Sequence, residues 1–308
     1  MAEKLTVLEL FAGIGGCAAA IAGNAEIVTA VETAHDALTV YRHNFVSPTL
    51  DQPVESLPEN WFREFRAAVW WMSPPVLPFV NAGLRRELDD PRAKALLHVI
   101  EQIHKIRPRY VALECVPTFD KSLTRQLLLE TLADSGYKWQ ETQLCPTSLG
   151  VPNQRRRYYL VAGREEILPW KPLNSKPRFS LRSTLDRVSL DELVVVPELL
   201  ATHRDSMHIV DANDSAAVSS CFTPDYGRSV KKTGSYLQTS GCVRHFSPAE
   251  ILLQLGFPLS FTLPDNTSRE QAWRLVGNSL SVPATRYILE AIPGLVVRRS
   301  RIPDVGTI

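Results

Sequence analysis

The 308-residue sequence has few cysteines: Cys17, Cys115, Cys145, Cys221 and Cys242 are odd in number, widely scattered and never in a Cys-x-x-Cys pair. That excludes a disulfide framework and a zinc site of familiar spacing. The seven histidines show no metal-ligand spacing either, so no metal is expected. Charge of one sign is also lacking. With 34 basic against 33 acidic residues the net charge is +1, so no global field draws the chain to a polyanion, and any such site must be local. No segment reaches ~18 uninterrupted apolar residues. The start, MAEKLTVLELFAGIGG, meets its glycines too early for a signal peptide. These absences point to an intracellular protein, cytoplasmic or nuclear, with no membrane partner.

What is there reads as a folded globular chain. Hydrophobic residues make up 44% and charged residues 22%, which excludes disordered and collagen-like classes. The length suits one large domain with a decorated end, or two unequal domains.

Residues 5–11 (LTVLELF) form a short aliphatic run that ends at glycines, and the alanine-rich stretch 17–22 favours helix. The next run, 26–31, ends at Glu32, and 34–45 has helical spacing. Residues 67–72 (AAVWWM) stop at Ser73-Pro74-Pro75, because proline has no ladder donor for a central strand. A helix follows over 91–107, then a strand over 110–114, a helix over 122–136 closed by glycine, and a strand over 157–162. Strands alternating with helices imply a largely parallel sheet covered on both faces. After Gly163 the prolines crowd among basic residues and the alternation is lost, so a boundary falls near residue 165; helical spacing returns over 247–255 and 268–275.

Four stretches can carry chemistry. FAGIGG (11–16) follows a strand and opens a helix, so its glycines let backbone approach a ligand; a plain tight turn reads equally well. Glu32, at the end of the next strand, is placed to accept hydrogen bonds from a ribose, which favours an adenosine-containing cofactor. Glu114, in LECVP, leaves a strand at its carboxyl end, the edge where open α/β sheets bind ligands, although a salt-bridged structural acid reads as well. Arg155, Arg156 and Arg157 precede a strand and read either as a solvated loop or as a fork of donors for phosphate or a base edge.

Taken in order, these pieces resemble the cytosine-5 methyltransferases that use S-adenosylmethionine. The resemblance runs through FAGIGG, SPPVLPF, LDDPRAKAL, ECV, QRRRYY, RHFSPAEILLQLGFP and GNSLSVP, over about residues 7–283. CFTPDYGRSVKKTGSYLQT (221–239) further resembles a segment of the branch that methylates aspartate transfer RNA. The resemblance implies a Rossmann-like, doubly wound, mostly parallel sheet of the class I methyltransferases with a second, smaller target-recognition domain. It divides the chain into a cofactor-binding domain (1–165), a target-recognition domain (166–270) and a segment returning to the large domain (271–308).

The likeness also implies roles. Phe11, Gly13, Ile14, Gly15, Glu32, Val54 and Pro74 would contact S-adenosylmethionine, with Asn278 and Ser279 nearby. Glu114 would grip the ring nitrogen and amino group of the target cytosine, Arg157 its carbonyl oxygen, and Arg155 would help hold the active loop. In the smaller domain Lys171, Lys176, Arg178, Arg182, Lys231 and Lys232 are candidate backbone contacts, and Tyr226 and Tyr236 candidate stacking surfaces. The expected partner is nucleic acid, tRNA ahead of DNA, and a catalytic partner subunit is a further expectation.

Two departures bear on activity. The family reads Pro-Pro-Cys-Gln where this chain reads Pro74-Pro75-Val76-Leu77, and Glu-Asn-Val where it reads Glu114-Cys115-Val116. Carbon 5 of cytosine becomes nucleophilic only after a thiolate adds to carbon 6, and valine has no lone pair to donate. The expectation is a pseudoenzyme: a scaffold that keeps its cofactor and base sites but is impaired in catalysis. The alternative is an active tRNA or DNA methyltransferase using Cys115 as a relocated nucleophile. Adjacent residues of a strand face opposite ways, so a Cys115 beside a base-facing Glu114 should face away, as a packed thiol. A nicotinamide-dependent oxidoreductase is a third reading, against which the later motifs argue.

Overall fold

The computed structural model describes residues 4–75, 88, 90–173, 179–185, 192–239 and 241–296. Val76 and Leu77, at the nucleophile's place, and Lys176 and Arg178 lie outside the described residues. The chain divides into two compact units. Unit 1 comprises Met1–Leu144, Arg156–Lys171 and Thr285–Arg298; unit 2 comprises Cys145–Arg155, Pro172–Ala284 and Arg299–Ile308.

Unit 1 is built in chain order from β1 (Thr6–Leu10), α1 (Gly16–Ile21), β2 (Glu26–Val31), α2 (His35–Asn44), β3 (Thr49–Leu50), α3 (Glu59–Phe65), β4 (Val69–Met72), α4 (Lys94–Ile106), β5 (Tyr110–Cys115), α5 (Leu123–Asp134), β6 (Lys138–Leu144) and β7 (Arg157–Gly163). The strands form one seven-stranded sheet in the order β3-β2-β1-β4-β5-β7-β6. Strands β1 to β5 pair in parallel, while β7 runs antiparallel to both β5 and β6. This is the mixed α/β, mostly parallel sheet expected of a class I methyltransferase fold.

The apolar runs of the sequence become central strands. All four residues of β4 (VWWM) and all six of β5 (YVALEC) are buried, as strands covered on both faces must be. Leu8, Leu10, Trp70, Met72, Val111, Leu113 and Leu160 enter one core with Leu96, Ile100 and Ile103 of α4. The apolar stripe expected over 91–107 is therefore the face that α4 lays on the sheet. Residues 91–93 form a 3₁₀ turn ahead of the helix, since proline suits a first turn but offers no donor. Helix α5 is capped by the Ser122 hydroxyl, which accepts from the Arg125 amide at 3.0 Å.

Unit 2 contains α6 (Pro197–His203), β8 (His208–Asp211), β9 (Ser235–Gln238), β10 (Val243–His245), α7 (Pro248–Gln254) and α8 (Arg269–Asn278); α9 (Val282–Leu289) runs from unit 2 into unit 1. Its three-stranded sheet has the order β10-β9-β8. Helix α7 starts with a capping box between Ser247 and Glu250. Glu250 also takes both terminal nitrogens of Arg244, at 2.6 and 2.8 Å, with the two side chains 0% and 3% exposed. This ion pair is sealed and bidentate, so its partners depend on one another.

Candidate nucleotide and base site

Parallel register brings the ends of neighbouring strands to one edge of the unit 1 sheet. Leu10 pairs with Val31 and Met72, and Met72 with Leu113. The residues that follow, Phe11, Glu32, Ser73 and Glu114, therefore share that edge. With neighbouring strands about 4.8 Å apart, β1 and β5 lie roughly 10 Å apart across β4.

The glycine loop is held in an unusual backbone shape. Phe11 has φ 58°, a left-handed conformation in a residue with a Cβ, and Gly13 and Gly15 have φ 54° and 92°. Such a non-glycine residue costs about 1–3 kcal/mol and is kept where the surroundings fix it. The Gly13 amide donates to Oε2 of Glu32 at 2.8 Å, and Oε1 of Glu32 accepts from the amides of Thr33 and Ala34 at 2.9 Å. Glu32 thus ties the loop to β2 with three of the roughly four acceptor sites of a carboxylate. A Cβ built on Gly13 meets nothing within 4 Å, so open space faces the loop there. At Gly15 it would lie 2.4 Å from the Phe45 ring and 3.0 Å from the Tyr41 ring, so this glycine is required by packing. Ile14 and Val54 are 2% and 3% exposed. Pro74 is also buried. An adenosine-type cofactor fits: an open glycine backbone and a carboxylate at the next strand's end.

At β5, Glu114 is 6% exposed and its carboxylate is engaged on both oxygens. The Ser73 hydroxyl donates to Oε2 at 2.6 Å, and Nε of Arg157 lies 3.1 Å from Oε1. Arg157 also donates from Nη1 to the Arg156 carbonyl at 2.8 Å. The two groups expected to hold neighbouring atoms on one edge of a cytosine are thus brought together and paired with each other. Ser73, read from the sequence only as the end of a strand, completes the cluster; its signal was its position directly after Met72, the last apolar residue of β4. Arg156 is exposed.

Cys115, the candidate relocated nucleophile, is 2% exposed and packs in the main core. Burial first, and then the neighbouring Glu114 charge, push its thiol well above the ordinary range, which keeps it protonated and poorly nucleophilic.

Arg155 lies in unit 2, 4% exposed. Its Nη1 donates to the Phe222 carbonyl at 3.0 Å and approaches the Cys221 sulfur at 3.4 Å, while Nη2 donates to the carbonyls of Gly277, at 3.2 Å, and Ser279. Its described contacts therefore brace the segment around residue 222 against the end of α8. Asn278 and Ser279 belong to the same unit, at that helix end.

The stacking expectation is corrected. Tyr226 and Tyr236 are each 1% exposed, within a ring cluster that includes His245 and Trp273. The Tyr226 hydroxyl donates to the Ser235 carbonyl at 2.7 Å and accepts from the Phe246 amide at 2.9 Å. A ring with both faces packed cannot receive a base. Lys231 and Lys232 are exposed at a turn where Lys232 has φ 58°, and Arg182 is exposed too. Lys171 groups with unit 1 instead of the smaller unit. Among the described residues no cluster of three metal-ligating side chains occurs, and no helix is long and apolar enough to cross a membrane.

The family profile for C-5 cytosine-specific DNA methylases matches residues 5–294. The chain belongs to that family. Among its relatives, the tRNA (cytosine(38)-C(5))-methyltransferase of Spodoptera frugiperda is 30% identical, over 93% of this chain and 98% of its own length. A DNA (cytosine-5)-methyltransferase of Dictyostelium discoideum is 28% identical, over 94% of both chains. The solved structure of the S. pombe Dnmt2 methyltransferase superposes with a TM-score of 0.85 at 27% identity, covering 93% of this chain and 98% of that one. Cytosine-5 methyltransferases of this kind use S-adenosylmethionine.

Proposed function

We propose that this chain is a cytosine-5 methyltransferase of the tRNA-modifying branch that holds S-adenosylmethionine and nucleic acid but is impaired in methyl transfer. The carrying observation is the pairing of two facts: Val76 stands where the family has its cysteine, and the thiol weighed as its replacement, Cys115, is sealed in the core.

The cofactor supplies an electrophilic methyl sulfonium. The chain's own residues supply the rest. The loop over Phe11–Gly16 offers backbone to the adenosine part, with Glu32 as acceptor at its remaining lone pair. Glu114 and Arg157, opened from their mutual pair by an incoming cytosine, hold its ring nitrogen, amino group and carbonyl oxygen, and Ser73 keeps the carboxylate aimed. None of these groups adds to carbon 6. Without that addition carbon 5 stays a poor nucleophile, and the rate falls by many powers of ten.

tRNA is favoured over DNA as the bound polymer, because the segment over 221–239 resembles the tRNA branch and several relatives are tRNA methyltransferases by name. Lys231 and Lys232, both exposed, are the groups proposed to meet its backbone. A cytoplasmic or nuclear site of action accompanies this reading, as does a catalytic partner subunit. Calorimetry with S-adenosylhomocysteine tests cofactor binding. Labelled methyl transfer to tRNA tests the impairment: the native chain is expected to give none above background, and Val76→Cys with Leu77→Gln to recover it. Robust transfer by the native chain overturns the proposal.

A further inference from the structure

Beneath the glycine loop lies a carboxylic acid that no step above employs. Glu9, in β1, is 1% exposed. Its register neighbours are Ala30 of β2 and Trp71 of β4, both fully buried. The Tyr41 hydroxyl of α2 donates to Oε2 at 2.8 Å. The amides of Cys17 and Ala18 in α1 point to the carboxyl and favour its charged form, against the larger effect of burial, while Oε1 has no well-aligned hydrogen-bond partner among the described residues. The charge that reaches it is that of Glu32, which repels. The Cys17 thiol is itself pushed up by burial, and so is the Tyr41 phenol, leaving both protonated. A bare carboxylate in this place would have one unsatisfied oxygen in a dry site, the arrangement that costs most.

Tyr41 carries this group's state to the loop. Its ring lies 3.0 Å from where a Cβ on Gly15 would stand, and the Phe45 ring presses on the same glycine. The Gly15 amide bonds the Ala12 carbonyl at 3.0 Å, and its carbonyl accepts from the Ala19 amide at 2.9 Å. A shift of Tyr41 is thus a shift of the turn that carries Gly13 and its bond to Glu32.

We propose that Glu9 is a positioning residue of the cofactor site: it holds a proton at neutral pH, keeps Tyr41 and the glycine loop in place, and on ionisation weakens the loop's grip on the cofactor. The proposal rests on the reading that the loop binds S-adenosylmethionine. Burial is the first cause that raises the Glu9 carboxyl from its ordinary value to about 8. The sign of the linkage follows. Below about pH 4.5 folded and unfolded chains both hold the proton. Between there and pH 8 only the folded chain keeps it, so stability falls as pH rises, and it levels off above 8.

The test compares the native chain with Glu9→Gln, which mimics the protonated acid and keeps an acceptor for Tyr41. Without ligand, the melting temperature of the native chain is expected to fall relative to the variant from about pH 5 to 8, then run parallel. With S-adenosylhomocysteine, both should bind alike at pH 6.5, and the native chain about tenfold more weakly than the variant by pH 9. Taking the ratio removes the ligand's own titration. Parallel melting curves, or parallel affinities over that range, overturn the proposal. If neither protein binds S-adenosylhomocysteine at any pH while the melting difference persists, the cofactor reading fails and with it the positioning role, whereas the proton on Glu9 stands. Should Glu9→Gln fail to fold, carbon-13 NMR of native protein labelled at glutamate carboxyls decides: one carboxyl with a midpoint near pH 8 supports the assignment, and all titrating below pH 6 overturn it.

Discussion

Replacing Cys115 with alanine separates the two readings of this chain, because a packed thiol and a nucleophile fail differently. The sulfur is 2% exposed in the main core and its strand partner is Tyr158. Removing it deletes apolar volume near one methylene, about 0.8 kcal/mol of transfer free energy. The small cavity left behind raises this to roughly 1–1.5 kcal/mol, because the two neighbouring strands cannot close on it. Serine at the same place should cost more, since its hydroxyl loses about 1–3 kcal/mol if it finds no partner. Urea denaturation at pH 7 reads these costs, with the order native, Cys115→Ala, Cys115→Ser. Methyl transfer by the chain restored at residues 76 and 77 should be unaffected by the added Cys115→Ala. An alanine variant of undiminished stability that loses transfer or cytosine crosslinking would refute the assignment, because a group that does chemistry at that cost must be reaching the base.

Two further outcomes follow from unit 2. Glu250→Gln leaves the Arg244 guanidinium buried with no counter-charge; denaturation should show a loss of about 3–5 kcal/mol, and a loss under 1 kcal/mol would mean the pair is not sealed. Tyr226→Phe removes one donated and one accepted hydrogen bond and should lower stability by about 1–2 kcal/mol. It should leave tRNA affinity unchanged in a filter-binding assay, whereas Lys231→Glu with Lys232→Glu should weaken it and flatten its salt dependence.

Much of the sheet was legible because its strands are two-faced and apolar. The AAVWWM and YVALE runs have no polar alternation, which marks them as strands, and proline follows both of them closely. Strand β6, KWQETQL, carries polar residues along an edge and was assigned no element from the sequence; pairing with β7 supplies what its composition withholds. The three-stranded sheet of unit 2 was illegible because each strand is only three or four residues long.

The site divides in the same way. Glu114 and Arg157 were found because each stands at a strand end, and one dimension of sequence reports that well. Their mutual pairing and the hydroxyl of Ser73 depend on strand register, which no local pattern reveals. Tyr226 and Tyr236 misled for a physical reason: tyrosine beside lysine reads as an exposed stacking surface, while here the hydroxyl of Tyr226 is satisfied inside the core by Ser235 and Phe246. Glu9 was passed over as one letter of an aliphatic run, and only its burial marks it.

The most direct measurement is covalent capture. The native chain is incubated with S-adenosylmethionine and tRNA carrying 5-fluorocytosine, and protein–RNA adduct is sought by denaturing electrophoresis and mass spectrometry. The expected result is no adduct from the native chain and a stable one from Val76→Cys with Leu77→Gln. An adduct formed by the native chain and lost in Cys115→Ala would contradict the assignment of an impaired scaffold.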